Sequence, residues 1–321
     1  MSTILVTGGA GYIGSHCCQL LASQGHDVVV LDNLFRGHRK NVRWGAFEHG
    51  DLRDPAFLAE VFARHRIDAV IHFAALAYVG ESMTQPGAYF AANTSGSLNL
   101  LEAMRRAGVR DLVFSSTCAT YGQPERMPIT ESTPQKPVNP YGESKLMVEQ
   151  LCRWYGEVAG LRWAALRYFN VAGSDPSGVL GEEHEPETHL IPNVLRAITG
   201  GPELSIFGDD YPTPDGSAIR DYIHVVDLVA AHAQALAALQ QGANGLKLNL
   251  GTGQGSSVKQ VIAAGERVTG KKVPHRLAPR RPGDPPELVA DPRLAEKTLR
   301  WKAKYTLDDM VAHAWAFHQK R

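Results

Sequence analysis

The chain of 321 residues is most easily approached through what it lacks. It has no charge imbalance: 33 lysines and arginines face 33 aspartates and glutamates, so the formal net charge is zero. No global field therefore draws it to nucleic acid or to an anionic membrane. It has no apolar run approaching the ~20 residues that span a bilayer. Its first residues pass almost directly into a strand-like run, Thr3-Ile4-Leu5-Val6, with no basic leader and no cleavage site. That pattern predicts a soluble, cytoplasmic protein. Cysteine is scarce, with only Cys17, Cys18, Cys118 and Cys152. Their spacing fits neither a metal site nor a secreted disulfide framework, and buried, reduced thiols are expected. The stretch Glu182-Glu183-His184-Glu185-Pro186-Glu187-Thr188-His189 is rich in ligand types. Its spacing matches no defined ligand pattern, so no metal is expected. Internal repeats and low-complexity tracts are also missing.

An ordinary apolar fraction is present, in a chain long enough to bury a sizeable core in one or two domains. Short β-branched runs (Ile4-Val6, Val28-Leu31, Ala69-Phe73, Leu112-Ser115, Trp163-Tyr168) alternate with helical patterns near 14–24, 55–65, 88–107 and 141–159. This alternation predicts an α/β protein with a Rossmann-type, doubly wound parallel sheet. After Asn170 the texture turns to loop, and Leu246-Leu250 reads as one more strand returning to the first sheet. The expected division is a nucleotide-binding domain of 1–172, rejoined by 219–252. A smaller mixed α/β substrate domain of 173–218 and 253–321 completes the chain.

The first strand runs into Thr7-Gly8-Gly9-Ala10-Gly11-Tyr12-Ile13-Gly14. Glycines at 8, 11 and 14 permit a tight turn, close approach to a pyrophosphate, and close packing of helix on strand. The helix start then offers free N–H groups to phosphates. Asp32 ends the second strand at the spacing expected of a ribose-binding carboxylate, which favours NAD over NADP. Arg36 nearby reads as a solvated loop residue. Asp51, after a third strand, is placed to bond an adenine amino group, whereas Asp54 before Pro55 reads as a helix cap.

Tyr141 and Lys145 stand four apart at the start of a helical pattern and therefore share a face. A free phenol has a pKa of about 10, and acting as a base near pH 7 requires a drop worth about 4 kcal/mol. A cation about 4 Å away supplies about that much at an effective dielectric of 20, so Lys145 is expected to lower the Tyr141 pKa, helped by a positively charged cofactor. Thr117 closes the Ser115-Ser116-Thr117 cluster at the end of another strand, where open α/β sheets bind ligands. A hydroxyl, a phenol, an ammonium and a nicotinamide site together meet the needs of proton removal from an alcohol coupled to hydride transfer.

Over essentially its whole length the chain resembles the extended short-chain dehydrogenase/reductases and, among them, the nucleotide-sugar 4-epimerases. The resemblance rests on the glycine turn continued through Ser15-His16, Asp32-Asn33-Leu34, Phe73-Ala74-Ala75, Val79-Gly80-Glu81-Ser82, Tyr141-Gly142-Glu143-Ser144-Lys145 and Tyr168-Phe169-Asn170. Downstream it continues through Asp215-Gly216, Arg220-Asp221-Tyr222-Ile223-His224-Val225 and Arg281-Pro282-Gly283-Asp284. It implies NAD-dependent 4-epimerisation of a UDP-hexose, UDP-glucose or UDP-galactose, through a transient 4-keto sugar, with NAD bound tightly and regenerated each cycle.

The roles carried over follow the matched positions. Tyr141 would take the 4-hydroxyl proton, Thr117 would bond the 4-oxygen, and Lys145 would bind the nicotinamide ribose. NAD would be held by Gly8, Gly11, Tyr12, Ile13 and Gly14, by Asp32 and Asn33, and by Asp51 and Leu52. Phe73, Ala74, Ala75, Asn93 and Tyr168 would complete its pocket beside Tyr141 and Lys145. Substrate would meet Thr117, Tyr141, Phe169, Asn170, His189, Leu190, Phe207 and Leu288. Arg220, Arg281 and Asp284 would hold the UDP diphosphate and ribose, guanidinium forks being suited to phosphate oxygens. The family is usually a homodimer built on two helices per subunit, here 88–107 and 141–158, with Leu98, Leu101, Met147 and Leu151 as apolar candidates.

Three positions depart from some members: Thr117 for Ser, Ala77 for a lysine near the cofactor phosphates, and His189 for Asn. Related 4,6-dehydratases place Thr-Asp-Glu where this chain has Thr117-Cys118-Ala119, and decarboxylases keep a glutamate there, so Ala119 argues against both. Leu288 is intermediate in size at a position that helps decide whether an N-acetyl group fits, so UDP-N-acetylglucosamine or UDP-glucuronate is the alternative substrate. A non-catalytic NAD-binding protein on the same fold is the alternative of another class.

Overall fold

The computed structural model describes residues 1–281 and 283–320; Pro282 of the Arg281-Asp284 motif and Arg321 lie outside them. The expected strands form β1 (Thr3–Thr7), β2 (Asp27–Asp32), β3 (Ala46–His49), β4 (Ala69–His72), β5 (Asp111–Thr117) and β6 (Arg162–Tyr168). Beyond them come β7 (Asn170–Ala172), β8 (Leu204–Phe207), β9 (Ile219–His224) and β10 (Leu246–Leu250). The last three are β11 (Gly255–Ser257), β12 (His275–Ala278) and β13 (Glu287–Leu288). A seven-stranded parallel sheet has the order β10-β6-β5-β4-β1-β2-β3. The order reverses between β1 and β4, and the crevice outside the carboxyl ends at that point is where such sheets bind nucleotides.

Successive residues of a strand point to opposite faces, and this chain uses both. Ile4, Val6, Val28, Val30, Ala69, Ile71, Val113, Ala164 and Leu166 pack in one core, while Leu5, Val29, Leu31, Val70, Leu112, Phe114, Trp163 and Ala165 pack in another. Near-continuous apolar strands are what a sheet covered on both faces requires. Helices Tyr12–Ser23 and Val225–Gln240 contribute Cys17, Leu21, Leu228 and Leu236 to the first core. Helices Pro55–Arg64, Gly96–Ala107 and Pro140–Ala159 contribute Leu58, Leu100 and Val148 to the second.

β10 pairs with β6 and so returns to the first sheet, but β9 does not. β9 lies in a second sheet between β11 and β13 and also pairs with β7. The segment 219–252 is therefore shared: its strand β9 serves the second sheet, its helix and β10 the first. β8 pairs with β12 beside a third core that includes Val194, Leu195, Val261 and Val311.

All four cysteines are unpaired; Cys17, Cys18 and Cys152 are buried, and Cys118 is half-buried. Among the described residues no helix is long and apolar enough to cross a membrane. Leu101 is core at 2% exposure, whereas Leu98, Trp154 and Val158 are exposed, so the apolar surface on these helices differs in part from the expected set. The reason is phase: Leu101 falls on the stripe of Leu100 and Met104 that faces the sheet.

Candidate active site

The glycine turn joins β1 to helix Tyr12–Ser23. Gly8 is left-handed at φ 72° and its N–H donates to the Leu31 carbonyl at 2.8 Å. A side chain there is excluded twice, by conformation and by the Ala74 nitrogen, which a Cβ would meet at 2.6 Å. A Cβ on Gly14 would lie 2.1 Å from the Gly8 oxygen, so only glycine lets the helix approach the turn. The helix N-cap Gly11 has no side-chain capping bond, which leaves the first-turn N–H groups of Tyr12 and Ile13 facing the crevice for a phosphate.

Asp32 ends β2 across that crevice. Its carboxylate accepts from the Ala10 and Leu34 N–H groups at 3.0 and 2.8 Å, while burial raises its pKa. Asn33 donates to Asp51 at 2.8 Å, and Arg53 pairs with Asp51 at 2.7 Å. Leu52 is buried beside them. Arg36 is not a solvated residue as expected: it pairs with Glu81 at 3.0 Å, donates to the Glu185 carbonyl and stacks on Tyr78. Its charge is engaged away from Asp32, which fits NAD better than NADP. The turn, the uncapped helix start and the ribose-side carboxylate fit a dinucleotide.

Phe73, Ala74 and Ala75 follow β4, with the first two N–H groups bonded to the Thr7 carbonyl. Asn93 sits in a π-helical turn, Phe90–Ser95, and its amide is committed within the protein. It accepts from Leu76 N–H at 2.8 Å and donates to Leu76 O at 3.0 Å and Ser144 Oγ at 2.9 Å. It thus holds the loop after β4 against the helix that carries Tyr141.

That helix starts where its capping residues dictate: Asn139 accepts from Gly142 N–H at 2.8 Å and Pro140 takes the first position. Tyr141 and Lys145 follow on its buried face, at 8% and 3% exposure. Thr117 ends β5 alongside, and its hydroxyl, which accepts from Ala119 N–H at 3.1 Å, is near enough to Tyr141 to favour the ionised phenol. Lys145 Nζ donates to the Ser115 carbonyl at 2.9 Å and lies 4.9 Å from the centre of the Phe114 ring. Tyr168, at the end of β6, is bonded to the Ser115 hydroxyl.

The electrostatics run against the expected direction. Burial, then the Tyr168 phenol, raises the Tyr141 pKa despite the Thr117 hydroxyl, and burial lowers Lys145 to about 7. Desolvation disfavours the charged form of each. The protein's own groups therefore keep the phenol protonated and leave the ammonium at its titration point, so Lys145 alone does not produce a phenolate.

Beneath these residues lies a buried network that spacing did not reveal. Ser116 donates to Glu149 at 2.6 Å, Glu149 pairs with Arg167 at 2.5 Å, and Arg167 donates to Tyr121 Oη at 2.9 Å. Tyr121 in turn donates to Asn249 at 2.7 Å. It ties β5, β6, β10 and the Tyr141 helix together directly under the hydroxyl cluster. The one signal in the sequence was Glu149, an acid on the apolar face of a helix eight residues after Tyr141.

The substrate-side residues come from the second sheet and its loops. Asn170 opens β7, Phe169 is buried, and Leu288 packs in the same small cluster as Phe169 and Tyr121. Arg220, in register with Leu288, is paired with Asp284. The charge of Arg220 acts on Cys118, next to Thr117, so this end reaches the chemistry end. Arg281 lies 3.9 Å over the Phe207 ring. Gln123 donates to the Gly283 carbonyl at 3.0 Å. Leu190 begins helix Leu190–Ile198, with His189 as its N-cap.

His189 is paired although its side chain is 42% exposed. It lies 2.6 Å from Glu182 and 3.2 Å from Glu187. Burial pushes its imidazole down, but the two carboxylates outweigh that and hold it near 10. Glu182, His184, Glu187 and His189 offer four ligand atoms within 4.8 Å of one another. Linear spacing concealed this grouping because the loop folds back on itself.

This fold and site define a class. Residues 4–251 match the NAD dependent epimerase/dehydratase family, and the chain belongs to it. It is 51% identical to a UDP-glucose 4-epimerase of Halalkalibacterium halodurans, across 99% of this chain and 96% of that protein. Its structure resembles the UDP-glucose 4-epimerase of Brucella ovis in complex with NAD, with a TM-score of 0.96 and 48% identity over 98% of each chain. It also resembles the Bifidobacterium longum enzyme in complex with NAD+ and UDP, with a TM-score of 0.94 and 41% identity over 99% of this chain and 98% of that one.

Proposed function

We propose that this chain catalyses NAD-dependent 4-epimerisation of UDP-hexoses and interconverts UDP-glucose and UDP-galactose. The observation that carries this is the grouping of Thr117, at the end of β5, with the buried Tyr141 and with Lys145 one helical turn behind it, at the mouth of a glycine-turn crevice. Whole-length similarity to UDP-glucose 4-epimerases supports it.

In this reading Tyr141 takes the sugar 4-hydroxyl proton, and Thr117 bonds the 4-oxygen and orients it. NAD+ held by the glycine turn, Asp32 and Lys145 would supply a reversible hydride acceptor for C4 and a positive charge beside the phenol. Lys145 binds the nicotinamide ribose and contributes its own charge. The two cations together offset the desolvation that raises Tyr141. Phe169, Asn170, His189, Leu190 and Phe207 line the UDP-sugar, and Arg220, Arg281 and Asp284 grip the diphosphate and ribose. Arg220 and Asp284 neutralise each other, so a diphosphate takes over Arg220 and a ribose diol takes over Asp284. The 4-keto sugar turns about its bond to the diphosphate, which stays held, and the proton returns from Tyr141. Residues 1–172 with helix Val225–Gln240 and β10 form the cofactor-binding part; 173–218, β9 with Arg220, and 253–321 form the sugar-nucleotide part.

The enzyme acts in the cytoplasm in galactose metabolism as a homodimer, with Leu98, Met147, Leu151, Trp154 and Val158 on the pairing helices. Sedimentation showing only a 35 kDa species would refute the dimer. Incubation with UDP-galactose, followed by chromatography of the nucleotide sugars, tests the activity. UDP-glucose is the expected product. Turnover of only UDP-N-acetylglucosamine or UDP-glucuronate would move the substrate assignment to the pocket around Leu288.

A further inference from the structure

We propose that Glu182, His184, Glu187 and His189 form a structural site for a divalent cation of the zinc class. The site lies outside the Thr117–Tyr141–Lys145 group, on the loop that carries the chain from β7 to helix Leu190–Ile198.

Geometry is the first argument. One ligand atom from each residue lies within 4.8 Å of the other three; Glu182 Oε1 is 3.1 Å from His184 Nδ1 and 2.6 Å from His189 Nδ1, and Glu187 reaches His184 through Oε2 at 4.0 Å and His189 through Oε1 at 3.2 Å. A tetrahedral zinc with bonds of about 2.0–2.2 Å has ligand atoms roughly 3.3 Å apart. The observed separations bracket that distance. Both histidines present Nδ1 to the carboxylates, so the donors already converge.

Composition is the second argument. Two carboxylates and two imidazoles, each imidazole giving up its proton as it ligates, cancel a dication's charge. A mixed imidazole and carboxylate set suits zinc better than calcium or magnesium, which prefer oxygen alone. Four protein ligands close a tetrahedral shell, which is the mark of a structural site. The Glu182 and Glu187 side chains are nearly buried, at 6% and 5% exposure. The His184 ring is walled edge-on by Tyr12 and Tyr78.

Position gives the ion its consequence. The same loop is tied to the cofactor-side loops: Arg36 donates to the Glu185 carbonyl, His38 bonds the Glu183 carbonyl at 2.9 Å, and Tyr78 donates to the Pro186 carbonyl at 3.1 Å. Tyr12, in the first turn of the glycine-turn helix, donates to the Gly173 carbonyl at 2.6 Å. An ion at the cluster fixes this strap from within and sets the position of His189 and Leu190.

The test uses the full-length protein with any affinity tag removed. Zinc is counted by mass spectrometry in wild type, Glu182→Gln and His184→Ala, with folding checked by circular dichroism. Chelator-stripped wild type is then titrated with zinc in competition with a fluorescent chelator, and separately with cobalt(II). The expected results are one zinc per wild-type chain, the intense visible absorption of tetrahedral cobalt, and loss of both in His184→Ala. Zinc should raise the melting temperature of stripped wild type and leave His184→Ala unmoved. Wild type that takes up neither metal, or variants that bind as well as wild type, would overturn the site and leave an ion-pair cluster. If Glu182→Gln does not fold, the wild-type cobalt spectrum and His184→Ala still decide.

Discussion

The cofactor end and the substrate end of this molecule are built from different materials. The cofactor end is backbone: a left-handed Gly8, an uncapped helix start and a Gly14 that tolerates no Cβ. That cradle is preformed, although the side chains beside it are partnered: Asp51 with Arg53, and Lys145 with the Ser115 carbonyl. The substrate end is side chains that already hold one another, Arg220 with Asp284, Arg281 with Phe207, and His189 with Glu182 and Glu187. Binding there exchanges one partner for another. A preformed backbone cradle favours retention of NAD; paired side chains favour exchange of a ligand.

Variants can break that contrast. The largest effect is expected at the seam: Tyr141→Phe should lower kcat by about 10²–10⁴-fold, the usual range for a lost general base, with cofactor content unchanged. Loss of bound nucleotide along with activity would make Tyr141 part of the retention machinery instead. Gly14→Ala should strike only the cofactor end, with the overpacked turn costing about 1–3 kcal/mol and the purified protein losing its NAD by absorbance. Retained NAD would show that the turn yields.

Arg220→Ala should strike only the substrate end. A hydrogen bond to a charged group is worth about 1.5–3 kcal/mol, which predicts roughly a 10–100-fold loss of kcat/KM, mostly in KM. A fall in kcat alone would place Arg220 in the chemistry.

Lys145 sharpens the comparison through pH. Folding lowers its pKa from 10.5 to about 7 by burial. Between those values the unfolded chain binds the extra proton, so this lysine makes stability rise with pH from about 7 to about 10. In nucleotide-free protein, urea midpoints of wild type should climb relative to Lys145→Met across that window, and parallel curves would refute the lowered value. The smallest effect is expected from Ala77→Lys. An exposed ion pair contributes about 0–1 kcal/mol, so NAD loss should slow by no more than roughly 5-fold.

The same division explains how much the sequence made legible. The sheet was readable because β-branched runs and glycine punctuation are local, and the ribose-side Asp32 fell at a fixed distance from Gly8. Asn139 and Pro140 announced where the Tyr141 helix begins. What stayed hidden was tertiary. Burial decides the Tyr141 and Lys145 protonation, and no spacing encodes burial. The Ser116–Glu149–Arg167–Tyr121–Asn249 network joins residues far apart in the chain. β9 reads like its neighbours yet pairs in the second sheet, where Tyr222–His224 run parallel to Asn170–Ala172 and the Asp221 carboxylate accepts from the Thr252, Gly253 and Ala290 N–H groups. Arg36 has the composition of a loop residue and the partners of a clamp.

The most direct test is product analysis of wild-type protein given UDP-galactose, with and without added NAD+. UDP-glucose formed at a rate that added NAD+ barely changes is the predicted result: the cofactor end holds what it needs and the substrate end exchanges. No UDP-glucose under either condition, from protein shown to contain NAD, would contradict 4-epimerisation of UDP-hexoses.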